Sequence, residues 1–233
     1  MIIKREISDK IEKSKKSILL LGPRQCGKST LVRSLKPDLS INLARESVYL
    51  EFARNPSELE MRLAKKEYSS VFIDEVQRLP SLLNTIQAII DEWHKPPKFY
   101  LSGSSARKLK RGHANLLPGR IHDFRLGPLT VFELGSRFDL QLALSCGTLP
   151  GIYFEENMTE RQKTLSTYSS VYLKEEVQAE ALTRNLEGFA RFIFVTAAMS
   201  GRFLDISKMS SEAMISRQTA ANYFEILEDT LLV

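Results

Sequence analysis

The stretch LLLGPRQCGKST, residues 19–30, decides the fold of this chain. In it, Gly22 is followed after four residues by Gly27, Lys28 and Ser29, which matches the pattern G-x-x-x-x-G-K-[ST]. This pattern, the Walker A motif or P-loop, is specific only where a strand precedes it and a helix follows it. A strand is predicted before the loop by the apolar run SILLLG, and a helix after it by KSTLVRSLK. The sequence therefore predicts a phosphate-binding loop and not a glycine turn beside a solvated lysine.

The residue types of the loop indicate how it would hold phosphate. Gly22 and Gly27 let the backbone turn tightly enough for successive N–H groups to point inward, and the following helix adds the positive end of its dipole. Lys28 can then reach the β- and γ-phosphates, and the hydroxyl of Ser29 can bind Mg²⁺. Thr30 is expected to have a mainly structural role in the helix. The candidate nucleotide-binding loop comprises Gly22, Pro23, Arg24, Gln25, Cys26, Gly27, Lys28, Ser29 and Thr30.

A second motif, SSVFIDEVQ at residues 69–77, places two carboxylates at the end of an apolar strand. Asp74 and Glu75 match the Walker B arrangement, in which an aspartate holds Mg²⁺, here through water, and the next residue orients or deprotonates the attacking water. The alternative is an acidic pair that caps the following helix. Because a P-loop precedes this pair in the chain, we favour the Walker B interpretation.

The stretch FYLSGSSARKLKRGHANLLPGR, residues 99–120, offers two further groups that a P-loop protein needs. Its predicted strand ends in serines, and either Ser102 or Ser104 is the candidate for the hydroxyl that senses the γ-phosphate; a serine-rich turn is the alternative. Arg120 follows a Pro-Gly turn, from which its guanidinium could reach the nucleotide of a neighbouring subunit as an arginine finger. The candidate catalytic residues are therefore Lys28, Glu75, Ser102, Ser104 and Arg120, and the candidate metal ligands are Ser29 and Asp74.

The same stretch is basic, which raises nucleic acid as a competing partner. Clustered lysines and arginines bind phosphate backbones without reading the base sequence. However, no Phe, Trp or Tyr lies between Arg107 and Arg120, so stacking on single-stranded bases is not expected. Nucleic acid is therefore a secondary hypothesis. The basic side chains of residues 102–125 are Arg107, Lys108, Lys110, Arg111, Arg120 and Arg125, against Asp123.

Short apolar runs that alternate with helical stretches predict an α/β fold, with the parallel sheet of a P-loop NTPase flanked by helices. After Gly147, Pro150 and Gly151 the strand signals fade, which predicts an α/β domain at 1–150 and a small all-α module at 151–233. We expect strands at 17–22, 47–52, 70–74, 98–102 and 121–126, and helices at 28–36, 56–67, 81–94, 159–183, 187–199, 205–212 and 216–228.

The last two predicted helices have helix-turn-helix spacing, but their charge argues against DNA binding. Residues 205–233 contain two basic and five acidic side chains, and a DNA-reading module carries a positive surface. We expect a module for packing or for contact with a protein partner.

The overall composition is that of an ordinary globular protein, with 43% hydrophobic and 26% charged residues and a net charge of +5. No apolar stretch approaches the roughly 20 residues of a membrane-spanning helix, and the segment MIIKREISDKIEKSKKS does not resemble a secretory signal. We therefore expect a cytoplasmic protein without membrane contacts. The two cysteines, Cys26 and Cys146, have no disulfide or metal spacing. Within the P-loop, Cys26 is either a reactive thiolate or a small apolar filler.

Five segments, in this order, resemble a bacterial and archaeal group of AAA+ ATPases: GPRQCGKST, VFIDEVQRLP, LSGSSARKL, LLPGR and CGTLPG. In that group a P-loop domain precedes a winged-helix-like segment and a C-terminal domain with nuclease-like character. The resemblance covers nearly the whole chain. It implies ATP as the nucleotide, Walker A at 22–30, Walker B at Asp74 and Glu75, and a Gly-Arg step at Gly119 and Arg120. The group usually carries valine or glycine at the position of Cys26.

The resemblance also implies that 1–150 is an AAA+ domain and that 151–233 contains an incomplete winged-helix-like segment, with the C-terminal domain missing from this chain. The expected function is Mg²⁺-dependent ATP hydrolysis by attack of water on the γ-phosphate, with a homo-oligomer if Arg120 acts in trans. Two alternatives stay open: a nucleotide-gated binding switch with little turnover, and an accessory ATPase that works with DNA or RNA.

Overall fold

The computed structural model describes residues 3–104, 117–172 and 186–229. The chain divides into two compact units, Met1–Glu155 and Glu156–Val233. The described helices include none that is long and apolar enough to cross a membrane.

A five-stranded parallel sheet forms the centre of the first unit, with the strand order β2-β3-β4-β1-β5. Strands β1, β3 and β4 are buried over almost their whole length, because helices cover both faces of a parallel sheet. This confirms the predicted α/β fold of the P-loop NTPase type. The strands are β1 (Ser17–Leu21), β2 (Leu39–Asn42), β3 (Ser70–Asp74), β4 (Lys98–Gly103) and β5 (Ile121–Arg125).

Each helix that the structure describes in the first unit buries at least one apolar side chain. In α5 (Leu82–Glu92), the buried side chains Leu82, Leu83, Ile86 and Ile89 lie on one face at the three- and four-residue spacing of a helix. A 3-10 turn, Val76–Arg78, follows β3, and another covers Gly135–Arg137. The helices are α1 (Ser8–Lys13), α2 (Lys28–Ser34), α3 (Glu46–Arg54), α4 (Glu58–Ala64), α5 (Leu82–Glu92), α6 (Val131–Leu134), α7 (Leu140–Cys146) and α8 (Pro150–Tyr153).

The strand predicted at 47–52 is wrong, because this stretch lies in α3. Val48 and Phe52 are one helical turn apart and therefore lie on the same face of α3. On that face Phe52 is fully buried and Val48 is half-buried. The true second strand, β2, precedes α3 and pairs only with β3 at the edge of the sheet. It gives a weak sequence signal because Ile41 is its one buried residue.

The second unit is helical, as predicted. Its core contains Phe189, Phe192 and Tyr223, and the ring of Tyr223 lies 5.0 Å from that of Phe189 and 5.3 Å from that of Phe192. Part of the helix predicted at 159–183 lies outside the described residues. The helices are α9 (Met158–Thr167), which continues as a π-helical turn at Tyr168–Tyr172, α10 (Leu186–Ala198), α11 (Ile206–Glu212) and α12 (Arg217–Asp229).

Candidate nucleotide-binding site

The P-loop connects β1 to α2 at the carboxyl edge of the sheet. Gln25 and Gly27 have left-handed backbones, with φ of 62° and 99°. At Gly22 the restriction is steric: a β-carbon there would lie 2.1 Å from the carbonyl oxygen of Leu126, and the N–H of Gly22 donates to the carbonyl of Gly103 at 3.3 Å. The loop therefore packs directly against the chain that leaves β4 and β5, and only glycine allows this approach.

Lys28 lies against the P-loop itself. Its ammonium donates to the carbonyl oxygens of Gly22 and Pro23, each at 2.8 Å, and the residue is 5% exposed. Because an ammonium has three N–H donors, these two bonds hold the charge at the loop and leave one donor for a phosphate oxygen.

Asp74, at the end of β3, is the centre of the polar contacts across the strand ends. Its Oδ1 accepts a hydrogen bond from Ser29 Oγ at 2.8 Å and another from Ser102 Oγ. Its Oδ2 lies 3.5 Å from a guanidinium nitrogen of Arg33. Asp74 is 5% exposed, so a buried carboxylate joins the P-loop helix to β4.

The pair formed by Ser29 and Asp74 fits a magnesium ion. Hydroxyl and carboxylate oxygens are the hard ligands that Mg²⁺ prefers, and this ion usually takes only one or two protein ligands beside water and substrate phosphates. The described ranges 3–104, 117–172 and 186–229 hold no group of three or more His, Cys, Asp or Glu side chains that could bind a metal ion.

Glu75 and the two candidate serines meet at the same edge. The backbone of Glu75 is left-handed, with φ of 60°, and its N–H donates to Ser102 Oγ at 3.3 Å. The amide nitrogen Nε2 of Gln77 donates both to the carboxylate of Glu75 and to Ser104 Oγ, the latter at 3.0 Å. The structure therefore brings together every predicted catalytic and metal-binding residue except Arg120.

Arg120 lies at the amino ends of the strands, whereas the P-loop lies at their carboxyl ends. It immediately precedes β5, whose first residue, Ile121, pairs with Ser17, the first residue of β1. Its guanidinium donates to Asp91 Oδ1 at 2.6 Å, and this hydrogen bond lowers the pKa of the Asp91 carboxyl. Arg120 therefore does not face the P-loop of its own chain, and its role in a neighbouring subunit stays a prediction.

The other predicted loop residues differ in exposure. Pro23 is buried, Arg24 is half-buried, and Gln25 and Thr30 are exposed. Of the basic stretch, Arg107, Lys108, Lys110 and Arg111 lie outside the described residues.

The thiolate hypothesis for Cys26 is wrong. The side chain is fully buried, and burial raises the pKa of the thiol, although the charges of Lys28 and Arg5 act to lower it. Its sulfur packs behind the loop, 3.0 Å from the place that a β-carbon on Gly22 would occupy. Cys26 is therefore the small apolar filler of the alternative interpretation.

Sequence reasoning missed Arg5, which lies beneath the P-loop. Its guanidinium donates to the carbonyl of Cys26 at 2.6 Å, to that of Gly127 at 2.8 Å and to that of Pro128 at 3.1 Å. It also forms a buried ion pair with Glu133, with Nε at 2.8 Å from Oε1. In the sequence, Arg5 is one of many basic residues in a charged segment, and nothing there marks it.

The P-loop, the carboxylates of Asp74 and Glu75 and the two serines, gathered at one edge of a parallel sheet, define a P-loop nucleotide-binding protein. A family model described as "AAA domain" matches residues 14–135, more than half of the chain, so the protein belongs to this family of AAA+ P-loop ATPases. A second model, described as a domain of unknown function (DUF8612), matches residues 137–233.

Curated relatives extend beyond this chain. Uncharacterized proteins of Mycobacterium tuberculosis and Mycobacterium bovis are each 25% identical to it over 224 residues, which cover 93% of this chain and 48% of theirs. The chain therefore spans about half the length of the curated relatives that it matches.

Similar solved structures are more distant. NtrX from Brucella abortus in complex with ATP is 14% identical, with 96% of this chain and 66% of that chain covered and a TM-score of 0.41. The replication initiator DnaA bound to AMPPCP and single-stranded DNA is 11% identical, with 96% and 85% covered and a TM-score of 0.37.

Proposed function

We propose that this protein binds MgATP and hydrolyses it by attack of water on the γ-phosphate. The observation that carries the proposal is the contact between the P-loop hydroxyl of Ser29 and the carboxylate of Asp74 at 2.8 Å, with Glu75 next in the chain. A hydroxyl on the phosphate-binding loop and an adjacent pair of carboxylates are the groups that water attack on a nucleotide requires.

Each residue has a distinct role in this proposal. The ammonium of Lys28 neutralises charge on the β- and γ-phosphates, and Ser29 and Asp74 would hold Mg²⁺, which when bound adds electrostatic stabilisation of the phosphate oxygens. Glu75 orients the attacking water and accepts its proton. Ser102 stays hydrogen-bonded to Asp74, which leaves Ser104 as the better candidate for the hydroxyl that senses the γ-phosphate.

The proposal includes a homo-oligomer, in which Arg120 serves the nucleotide of a neighbouring subunit. A guanidinium at the amino edge of the sheet cannot stabilise a transition state at the carboxyl edge of the same sheet. In an arrangement in which the amino edge of one subunit faces the nucleotide of the next, Arg120 would exchange Asp91 for the γ-phosphate and act as a finger in trans.

The test is MgATP turnover at several protein concentrations, with direct measurement of MgATP binding for each variant. Glu75→Gln is expected to bind MgATP normally and to lose turnover by about 10²- to 10⁴-fold, the usual contribution of a general base. Glu92→Gln, the same substitution at an exposed position at the end of α5, is the matched control and should be unaffected.

The dependence on protein concentration tests the assembly. Specific activity of the wild type should rise with concentration, and Arg120→Ala should abolish this rise without weakening MgATP binding. Tight binding without turnover in both wild type and Glu75→Gln would instead establish a nucleotide-gated switch.

A further inference from the structure

We infer that Gln77 is a positioning residue, which holds the carboxylate of Glu75 and links it to the hydroxyl of Ser104. The inference rests on the proposed hydrolysis, in which Glu75 receives the proton of the attacking water. It assigns a role to a side chain that belongs neither to the P-loop nor to the pair of carboxylates.

The chain geometry places Gln77 for this role. Glu75 directly follows β3 and has a left-handed backbone, and the 3-10 turn Val76–Arg78 comes next. This sharp change of direction brings the side chain of Gln77 back over that of Glu75, where the residue is 7% exposed. A left-handed backbone at a glutamate is uncommon and usually persists where the surrounding structure requires it.

The hydrogen bonds of Gln77 define the orientation of its amide. Nε2 has two N–H donors, and they are directed to Glu75 Oε2 and Ser104 Oγ. The reverse orientation would place the amide oxygen against a carboxylate oxygen, and the two would repel each other. Both donors are therefore used, and the amide fixes the distance between the carboxylate and the hydroxyl.

The amide oxygen of Gln77 shows that this orientation leaves a buried polar atom without a hydrogen bond to any residue that the structure describes. Oε1 of Gln77 is buried and has no hydrogen-bond partner in the described part of the chain. It faces Gly103 of β4, where a β-carbon would approach it to 2.9 Å. A buried polar atom without a partner needs an explanation, and here the explanation is that the two bonds of Nε2 determine how the side chain lies.

Ser104 gives this contact its relevance to the reaction. It follows Gly103, which pairs with Leu21 at the point where β1 enters the P-loop. The amide of Gln77 therefore spans the gap between a hydroxyl beside the P-loop and the carboxylate of Glu75, which in the proposed hydrolysis receives the proton of the attacking water. Holding a general base in one orientation raises kcat, because misplacement of a catalytic group by about 1 Å can lower the rate about 10²-fold.

The experiment uses Gln77→Met, which keeps the length and approximate volume of the side chain and removes both donors. We expect kcat for MgATP to fall by at least about tenfold, while KM and the directly measured MgATP affinity change by less than about twofold. Gln141→Met, at an exposed position on α7, is the matched control and should leave all three unchanged. Gln77→Leu serves as a second variant without donors if Gln77→Met does not fold.

A double-mutant comparison separates positioning from a structural role. If Gln77 acts through Glu75, Gln77→Met should change the residual turnover of Glu75→Gln by less than about twofold, because coupled residues are not additive. Independent, multiplicative losses in the double variant would overturn the inference, as would a higher kcat in Gln77→Met or a loss confined to MgATP affinity.

The two proposals can fail separately. Turnover that depends on Glu75 but is unchanged in Gln77→Met would overturn the positioning role alone. Wild-type protein whose turnover is absent or independent of Glu75 would overturn the proposed hydrolysis and, with it, this inference.

Discussion

The buried ion pair between Arg5 and Glu133 should be among the most sensitive positions in the first unit. Arg5→Met removes the guanidinium but keeps an unbranched side chain, so it deletes the charge and the hydrogen bonds with little change in packing. The carboxylate of Glu133 would then stay buried, with its side chain only 3% exposed, and would keep the backbone N–H groups of Glu6 and Thr130 as donors.

The burial of this ion pair sets the expected loss of unfolding free energy in Arg5→Met. Removing one partner of a buried ion pair costs about 3–5 kcal/mol, because the other charge stays buried without compensation. The carbonyl oxygens of Cys26, Gly127 and Pro128 also lose a charged donor. Since a whole domain is stable by only about 5–15 kcal/mol, Arg5→Met should remove a large fraction of the stability of this unit. At about 2–4 °C per kcal/mol for a chain of this size, the melting temperature should fall by roughly 6–20 °C.

The single tryptophan provides the assay. Trp93 directly follows α5 in the first unit, so its fluorescence during urea unfolding reports on the unit that contains Arg5. Arg54→Met, at an exposed position, is the matched control and should change the unfolding free energy by about 0.5 kcal/mol or less. A loss below about 1 kcal/mol in Arg5→Met would refute the reasoning, because an exposed or weakly bound arginine costs this little.

Two further predictions concern the same unit. Burial acts to raise the pKa of Glu133, but the hydrogen bonds from Arg5 and from backbone N–H groups outweigh it and hold the pKa below its ordinary value. The ionised Glu133 carboxylate therefore contributes folding stability that is fully present above the unfolded pKa of about 4.3 and is lost as the pH falls through the lower folded pKa. Urea titrations from pH 6 to pH 3 should show this loss of unfolding free energy in the wild type and a smaller loss in Glu133→Gln. Gly22→Ala should weaken MgATP binding at least about tenfold and lower the melting temperature, because its β-carbon would lie 2.1 Å from the carbonyl oxygen of Leu126. Gly151→Ala, where a β-carbon meets nothing within 4 Å, is the control for calorimetric binding and melting measurements, and equal behaviour of the two variants would contradict the steric argument.

The parts of the site that the sequence predicts are those encoded within a few consecutive residues. The P-loop and the pair Asp74 and Glu75 have fixed spacings, and both lie where strands end, so parallel pairing brings them to one edge. Ser102 in β4 and Ser104 directly after it follow by the same logic, because β4 lies between β1 and β3.

The parts that the sequence does not predict depend on contacts between distant residues or on local competition between structures. Arg5 and Glu133 are 128 residues apart, and neither differs in type from many exposed neighbours. Gln77 is close to Glu75 in the chain, but its role depends on the left-handed backbone at Glu75 and on Ser104, which follows β4. At 47–52, β-branched and aromatic residues favour a strand locally, whereas burial of Phe52 on one face favours the helix that forms.

The ion pair beneath the P-loop also has a consequence for the order in which the protein is made. Domains generally fold as units during synthesis, N-terminal parts first. The P-loop leaves the ribosome early, but the residues that hold Arg5 under it, at 127–133, are made about a hundred residues later. A nascent chain that ends before Glu133 therefore contains the complete Walker A sequence but lacks residues that hold Arg5 against the P-loop. The ability to capture nucleotide should appear late in synthesis, when almost the whole first unit is present.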